Sequence, residues 1–330
     1  TRATQEGMLV SNPALLPYGG TLFRWLGSKT VMGTAKETTD LIRKAISGES
    51  LLPEGEDNEE VTNPLQGVLG VPMHFFFSQS FSFITNNGGF MVFSSMSPDL
   101  KIWEKGDPEQ GSGIPMIVLK TESYNGFIGS LAFRSPFEWL SFGASAKYLL
   151  QNESISRFDL SGGTEQVSEG VGSAINPAAM KIGTGIDIGT LAFFQGRSVD
   201  FRFAYTIVDV GGTQLKGGGD LILPQVSNVG FGLTFHTVED AFHLSADYRD
   251  INNVREQEIF KRVNLGAKVI LTDLLGLSAG IYHGAPSYGL ELDLYIMRLS
   301  FTQHTREYGD RPGIDSRRLQ LISLSTGVTF

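Results

Sequence analysis

The chain has 330 residues, 41% of them hydrophobic and 18% charged, with 40 glycines, 23 phenylalanines, no cysteine and a formal net charge of -9. Soluble domains carry about 25% charged residues and about 7% glycine, so charge is low here and glycine is high. Disulfides and thiolate metal sites are excluded. No stretch supplies the roughly 20 consecutive apolar residues of a spanning helix, and the acidic balance lacks the basic footprint that nucleic-acid binding needs. A transmembrane β-barrel and a large soluble all-β sandwich both fit this composition.

Residues 1–7 contain no apolar h-region, so the sequence reads as a mature exported form whose signal has been removed. Residues 8–33 are a Gly- and Pro-punctuated mix with Leu22, Phe23, Trp25 and Leu26. Residues 34–46 carry acids early, bases late and Gly48 just beyond, which predicts a helix. The acidic run at 51–60 reads as a linker. Residues 1–65 are therefore expected to form a small helical N-terminal plug, and 66–330 a separate β domain.

From about residue 71 the period becomes two, the signature of strands whose side chains alternate between faces. Phe75, Phe77, Phe81 and Phe83 fall on one face, and His74, Ser78, Ser80 and Ser82 on the other, with Phe76 and Gln79 against the pattern. Similar alternation runs through 140–150, 242–249 and 262–271. Asn86-Asn87-Gly88-Gly89 is a hairpin signal.

Strands are expected near 72–86, 90–97, 114–123, 126–135, 139–160, 181–194, 199–209, 226–236, 241–250, 260–271, 275–283, 286–294, 298–304 and 318–330. That is about fourteen, an even number as bacterial single-chain barrels have. Their length, nearer ten residues than the usual five or six, suits a tilted crossing of a bilayer. Counting back from the C-terminus, short connections at 136–138, 195–198, 237–240, 272–274 and 295–297 fall on one side. Long ones at 162–180, 211–224, 251–258 and 305–316 fall on the other, together with a few short hairpins such as that at 87–89. The segment 98–113 breaks this rule, being long on the short side.

At the C-terminus Ile322, Leu324, Val328 and Phe330 alternate along the last strand, which resembles the insertion signal of outer-membrane barrels. Asn12-Pro13-Ala14, within Met8 to Leu16, resembles the Asn-Pro-Ala motif of FadL-type outer-membrane transporters; Asn176-Pro177-Ala178 repeats the triplet in an expected loop. Tyr288 to Asp293, Arg306-Glu307-Tyr308-Gly309 and Arg317-Arg318 resemble the PorV-like branch of that superfamily. The resemblance implies a hatch ahead of a fourteen-stranded barrel in the bacterial outer membrane, and passive uptake of hydrophobic small molecules such as fatty acids or aromatic hydrocarbons. It also implies a hatch role for Asn12, Pro13 and Ala14, and Phe23 and Phe76 are expected as apolar ligand contacts facing the lumen. The five histidines form no His-Glu-x-x-His pattern and no Gly-rich phosphate loop precedes a helix, so no cofactor or metal is expected.

On this register His74, Lys147, Asp187, Asp200, Arg202, His243, Asp247, Arg249, Arg262, Lys268, Glu291 and Asp293 face the lumen, where mixed signs favour mutual pairing. His243, Asp247, Arg249, Arg262, Glu291 and Asp293 are taken as a lumenal polar network. Ser245 lies between His243 and Asp247, but alternation alone gives that spacing and no Gly-x-Ser-x-Gly elbow accompanies it, so catalysis is not expected. Trp139, Tyr148, Tyr205, Tyr248, Tyr282 and Tyr288 are expected at membrane interfaces. The alternative to transport is a structural barrel with a closed lumen that binds outer-membrane lipid and a partner protein or further copies of itself.

Overall fold

The computed structural model describes residues 12–18, 24–47, 73–105, 114–159, 180–217, 220–237, 241–272, 274–294, 296–307 and 316–329. After a 3-10 turn at Pro13–Tyr18 come β1 (Arg24–Ala35), α1 (Lys36–Ser47), β2 (Met73–Thr85), β3 (Gly88–Lys105), β4 (Ile114–Arg134), β5 (Leu140–Asp159), β6 (Met180–Phe194) and β7 (Val199–Val208). A small hairpin of β8 (Thr213–Leu215) and β9 (Leu221–Leu223) precedes β10 (Val226–His236) and β11 (Ala241–Tyr248). A short helix α2 (Ile259–Arg262) precedes β12 (Val263–Leu271), β13 (Leu275–Tyr282), β14 (Ala285–Asp293), β15 (Met297–Glu307) and β16 (Ser316–Thr329). Among the described residues, fourteen of sixteen strands form one closed antiparallel barrel, and β1 closes it by pairing with β16 on one side and β2 on the other. Closure leaves no unpaired sheet edge around the ring.

Alternation sorts the side chains. Phe81, Phe127, Phe203, Phe231, Leu265 and Leu290 stand exposed on the outer face, while the inner face carries mostly Ser, Thr, Gly and charged groups. An apolar exterior around a closed ring is the surface of a lipid-embedded barrel. Trp139 stacks on Phe194 at 5.2 Å, and Phe133 on Phe142 at 5.4 Å, forming an aromatic rim at the end that carries the C-terminus. Connections at that end span two to five residues, at 86–87, 135–139, 195–198, 237–240, 272–274 and 294–296. Such short turns mark the periplasmic side, and the longer connections, the two-residue turn at 283–284 excepted, mark the outside.

Three expectations are corrected at the level of elements. Residues 24–35, assigned by their sequence to the plug, are a wall strand: β1 has no apolar face, since Leu26, Ser28, Thr30, Met32 and Thr34 point outward and Gly27, Lys29, Val31, Gly33 and Ala35 inward. The helix expected at 34–46 exists as α1, but between β1 and β2 at the outer end, where Thr38 Oγ1 accepts a hydrogen bond from the His74 backbone N–H at 3.1 Å. The expected strands 114–123 and 126–135 are one 21-residue strand, β4. Asn125-Gly126 resembles a hairpin turn, but a Cβ on Gly126 would lie 2.8 Å from the Phe93 ring and 2.7 Å from Tyr148 O, so glycine admits a close approach across the sheet.

The missed strand and the split strand cancel in the count, but not in the topology. With β4 continuous, 106–113 moves to the outer end and 86–87 to the periplasmic end, which removes the anomaly at 98–113. Tyr282 is also corrected, because it faces inward and packs edge-on against His304 at 5.2 Å. The repeated triplet at 176–178 and Phe330 lie outside the described residues.

Candidate functional site: the barrel lumen

The turn Pro13–Tyr18 lies inside the wall near its periplasmic end. Asn12, 4% exposed, organises it: its Oδ1 accepts from Ala14 N at 2.9 Å, and its Nδ2 donates to Thr190 O on β6 at 3.2 Å. Ser141 Oγ donates to Ala14 O at 2.5 Å, and Arg134 Nη2 to Pro17 O at 2.9 Å. Two inward-facing glycines make room for it. A Cβ on Gly189 would overlap Asn12 Oδ1, and one on Gly143 would overlap the Ala14 backbone nitrogen. The triplet Asn12, Pro13 and Ala14 is thus the part of the turn that the wall is shaped to receive.

Beside it is an apolar bed. Leu16 is fully buried among Ile84, Met91, Ile128 and Ala132, with Leu15 and Phe93 against them. These come from the inner faces of β2, β3 and β4, an apolar patch on a lumenal surface that sequence reading took to be polar apart from Phe76. The signal was available: Ile84, Met91 and Ile128 are the apolar interruptions of otherwise small or polar inner faces. Phe76 is on the inner face of β2, half-buried and separate from this cluster. Phe23 lies outside the described residues.

Toward the outer end a compact ion cluster ties loops to the wall. Lys147 on β5 pairs with Asp187 at 2.7 Å and with Asp209 at 2.8 Å, and Arg255 from the 249–262 connection reaches Asp209 at 2.7 Å. Thr213 Oγ1 donates to Asp209 Oδ1 at 2.5 Å, which fixes the start of the β8–β9 hairpin. Gly183 and Gly185 on β6 again supply the space, since a Cβ on either would overlap Gln214 or Thr213. The hairpin therefore folds into the lumen, with Leu215 fully buried. Burial alone raises the Asp209 carboxyl, but hydrogen bonds from Lys147, Thr213 and Arg255 outweigh it and hold the group below its ordinary value. Asp250 is held low in the same sense, against burial, by the backbone N–H groups of Val254, Glu256 and Arg255.

Of the six residues assigned to a lumenal polar network, His243, Asp247, Glu291 and Asp293 occupy inner-face strand positions, Arg249 follows β11 and Arg262 ends α2; the six do not form one network. Glu291 and Asp293 are joined through Arg298, with Lys268 on Glu291 at 3.0 Å and Arg298 on Glu291 at 3.4 Å. Arg298 was not among the six; its inward register opposite Asp293 was the available signal. His243 Nδ1 instead meets Thr234 Oγ1 at 2.9 Å. Asp247 lies over Gly230. Arg262 packs over the Tyr248 ring at 5.2 Å and donates to Asp250 O at 3.2 Å, while Arg249 lies 5.9 Å from the Tyr282 ring. A cavity of about 230 Å³ opens on this wall, where His243, Ser245, Lys268, Ser278, Ser287 and Thr302 alternate with Leu265, Ala267, Ala279 and Tyr288 over a floor of Gly266 and Gly280. The lumen is thus two-sided, with an apolar bed on β2–β4 and a more polar hollow of mixed lining on β11–β15.

Neither a protein-family model nor a curated protein sequence matches the chain. Among solved structures, the toluene transporter TbuX of Ralstonia pickettii is 10% identical, with 98% of this chain and 93% of that chain covered and a TM-score of 0.51. The toluene transporter TodX of P. putida is 11% identical over 98% and 94% of the two chains, with a TM-score of 0.46. The translocator domain of the autotransporter NalP from Neisseria meningitidis is 10% identical over 98% and 95%, with a TM-score of 0.37. At this identity the likeness to TbuX is one of fold. Together with the apolar exterior and the division into short turns and long loops, it gives the architecture of a bacterial outer-membrane barrel.

Proposed function

We propose that the chain is a passive outer-membrane conduit for hydrophobic small molecules, with its N-terminal turn as a hatch over an apolar lumenal site. The observation that carries this reading is the bed of Ile84, Met91, Phe93, Ile128 and Ala132, which Leu15 and Leu16 occupy. An apolar ligand competes for the surface that those two side chains bury, at about 1.5–3 kcal/mol per buried leucine. Binding and hatch displacement are then one exchange, needing no energy input. Aromatic hydrocarbons suit the bed, and the name of TbuX, a toluene transporter, agrees with that class; a fatty acid would place its chain there and its head toward the polar wall. The hatch on this reading is the segment before β1, and the barrel runs from Arg24 onward.

The test uses fluorobenzene as probe, with ¹⁹F line width measured in protein-containing and empty micelles. Broadening beyond empty micelles in the wild-type chain, lost in Ile128→Asp, supports the site. Line widths equal to those of empty micelles in both proteins overturn it. The structural, partner-binding alternative draws its support from the paired charges of the lumen.

A further inference from the structure

The lipid-facing exterior is not uniformly apolar. Thr30 pairs with Gln79, Gln79 with Ser94 and Ser94 with Asn125, so one outward row across β1, β2, β3 and β4 consists of four polar side chains. The row lies within the apolar band: Gln79 sits between exposed Phe77 and Phe81 on its strand, and Ser94 between exposed Val92 and Met96. One step along, Ser28 and Thr326 meet at 3.1 Å. Gln79, Ser94 and Asn125 have no side-chain hydrogen-bond partner among the described residues. An amide facing hydrocarbon without a partner is costly, and within membranes such groups bond across to another protein surface.

From this we infer that the β1–β4 exterior is an interface between two copies of this chain within the membrane. Glutamine and asparagine amides each donate and accept, and the row is uncharged, so it is complementary to itself about a twofold axis, as an isologous interface requires. A partner recognised by charge would find nothing to read on this row. Four strands about 4.8 Å apart, over a band about 25 Å tall, offer roughly 480 Å² in projection. Two copies would bury about 1,000 Å², the threshold for a specific interface. Phe77, Phe81, Phe127 and Met96 form the apolar surround that excludes lipid from the bonded amides.

The chain has no cysteine, which makes the test direct. Ser94→Cys and, as a control on the opposite wall, Leu277→Cys are treated in intact outer membranes with a short thiol-to-thiol cross-linker. A product at twice the chain mass from Ser94→Cys, absent from Leu277→Cys, is expected. It should be lost when Gln79→Leu and Asn125→Leu are added, with heat-modifiable migration confirming that the barrel remains folded. No dimer from Ser94→Cys, equal dimer from Leu277→Cys, or a cross-linked product of any other mass overturns the inference.

Discussion

Glycine is the residue on which the lumen's contents depend. Gly143 and Gly189 admit the N-terminal turn, and Gly183 and Gly185 admit the β8–β9 hairpin. From the sequence these glycines signal only close approach or curvature; what approaches them comes from far along the chain, so their partners were not legible. Asn12, Pro13 and Ala14 were legible as a motif but not as a contact surface. In Gly189→Val the wall strand should still form, because the new side chain points inward, but Asn12 is displaced. Ala14→Cys, buried in the wild-type background, should become reactive to a thiol-specific maleimide in Gly189→Val and stay protected without it. Equal protection in both would show that the turn does not depend on that space.

Asp209 supplies a second test at this scale. Its folded-state pKa lies below the ordinary value, so its stabilising contribution is fully present above about pH 4 and fades as pH falls through the lower folded value. Leu215→Cys should therefore remain protected from labelling between about pH 5 and 7. Removing the charge in Asp209→Asn leaves buried Lys147 with Asp187 as its remaining ion-pair partner and takes the carboxylate from Arg255, and should expose position 215 at neutral pH. Protection that is lost on mild acidification to pH 5 in the wild-type protein would contradict the assignment.

At the scale of elements, alternation was readable wherever one face meets lipid and the other a polar lumen, as in β2, β5, β11 and β12. It failed at β1, whose outward Ser28 and Thr30 and inward Val31 and Ala35 blur the two faces, and at Gly126, where local turn chemistry outweighed the long-range pairing of β4 with β3 and β5. A strand and a turn respond oppositely to insertion. A single extra residue after Asn125 reverses every side chain beyond it between lipid and lumen, and should abolish heat-modifiable barrel formation. The same insertion in the 162–178 connection should be tolerated. Folding of the first variant as well as the second would restore the hairpin reading.

The β8–β9 hairpin is likewise an element with a measurable role. It is held by Asp209 and Thr213 at its base, by Gly183 along its length, and by a bridge between Lys216 and Ile182. Replacing 211–224 by a short Gly-Ser connection should raise single-channel conductance in planar bilayers, because the lumen loses an ordered obstruction. Unchanged conductance would place the narrowest point elsewhere.

For the whole molecule, the low charge and high glycine content now have separate causes. Charge is scarce because an entire face of most strands meets lipid, and glycine is abundant partly because inner-face positions must accept chain segments folded into the lumen. Most wall strands and their orientation were legible from periodicity and loop length, whereas the count of fourteen agreed only because the missed β1 and the split β4 cancelled. The division of the lumen into an apolar bed and a more polar hollow was not legible, because the bed is completed by Leu16, which arrives from the N-terminal turn far along the chain from Met91 and Ile128. That division is what makes hydrophobic uptake the favoured reading.

The most direct measurement of that reading is the initial rate of entry of radiolabelled toluene into cells lacking other hydrocarbon porins, with and without this chain. The account predicts faster, saturable entry with the chain present, unaffected by an uncoupler and lost in Ile128→Asp, whose barrel still migrates as folded. Entry no faster than in cells without the chain, or undiminished by Ile128→Asp, would contradict it.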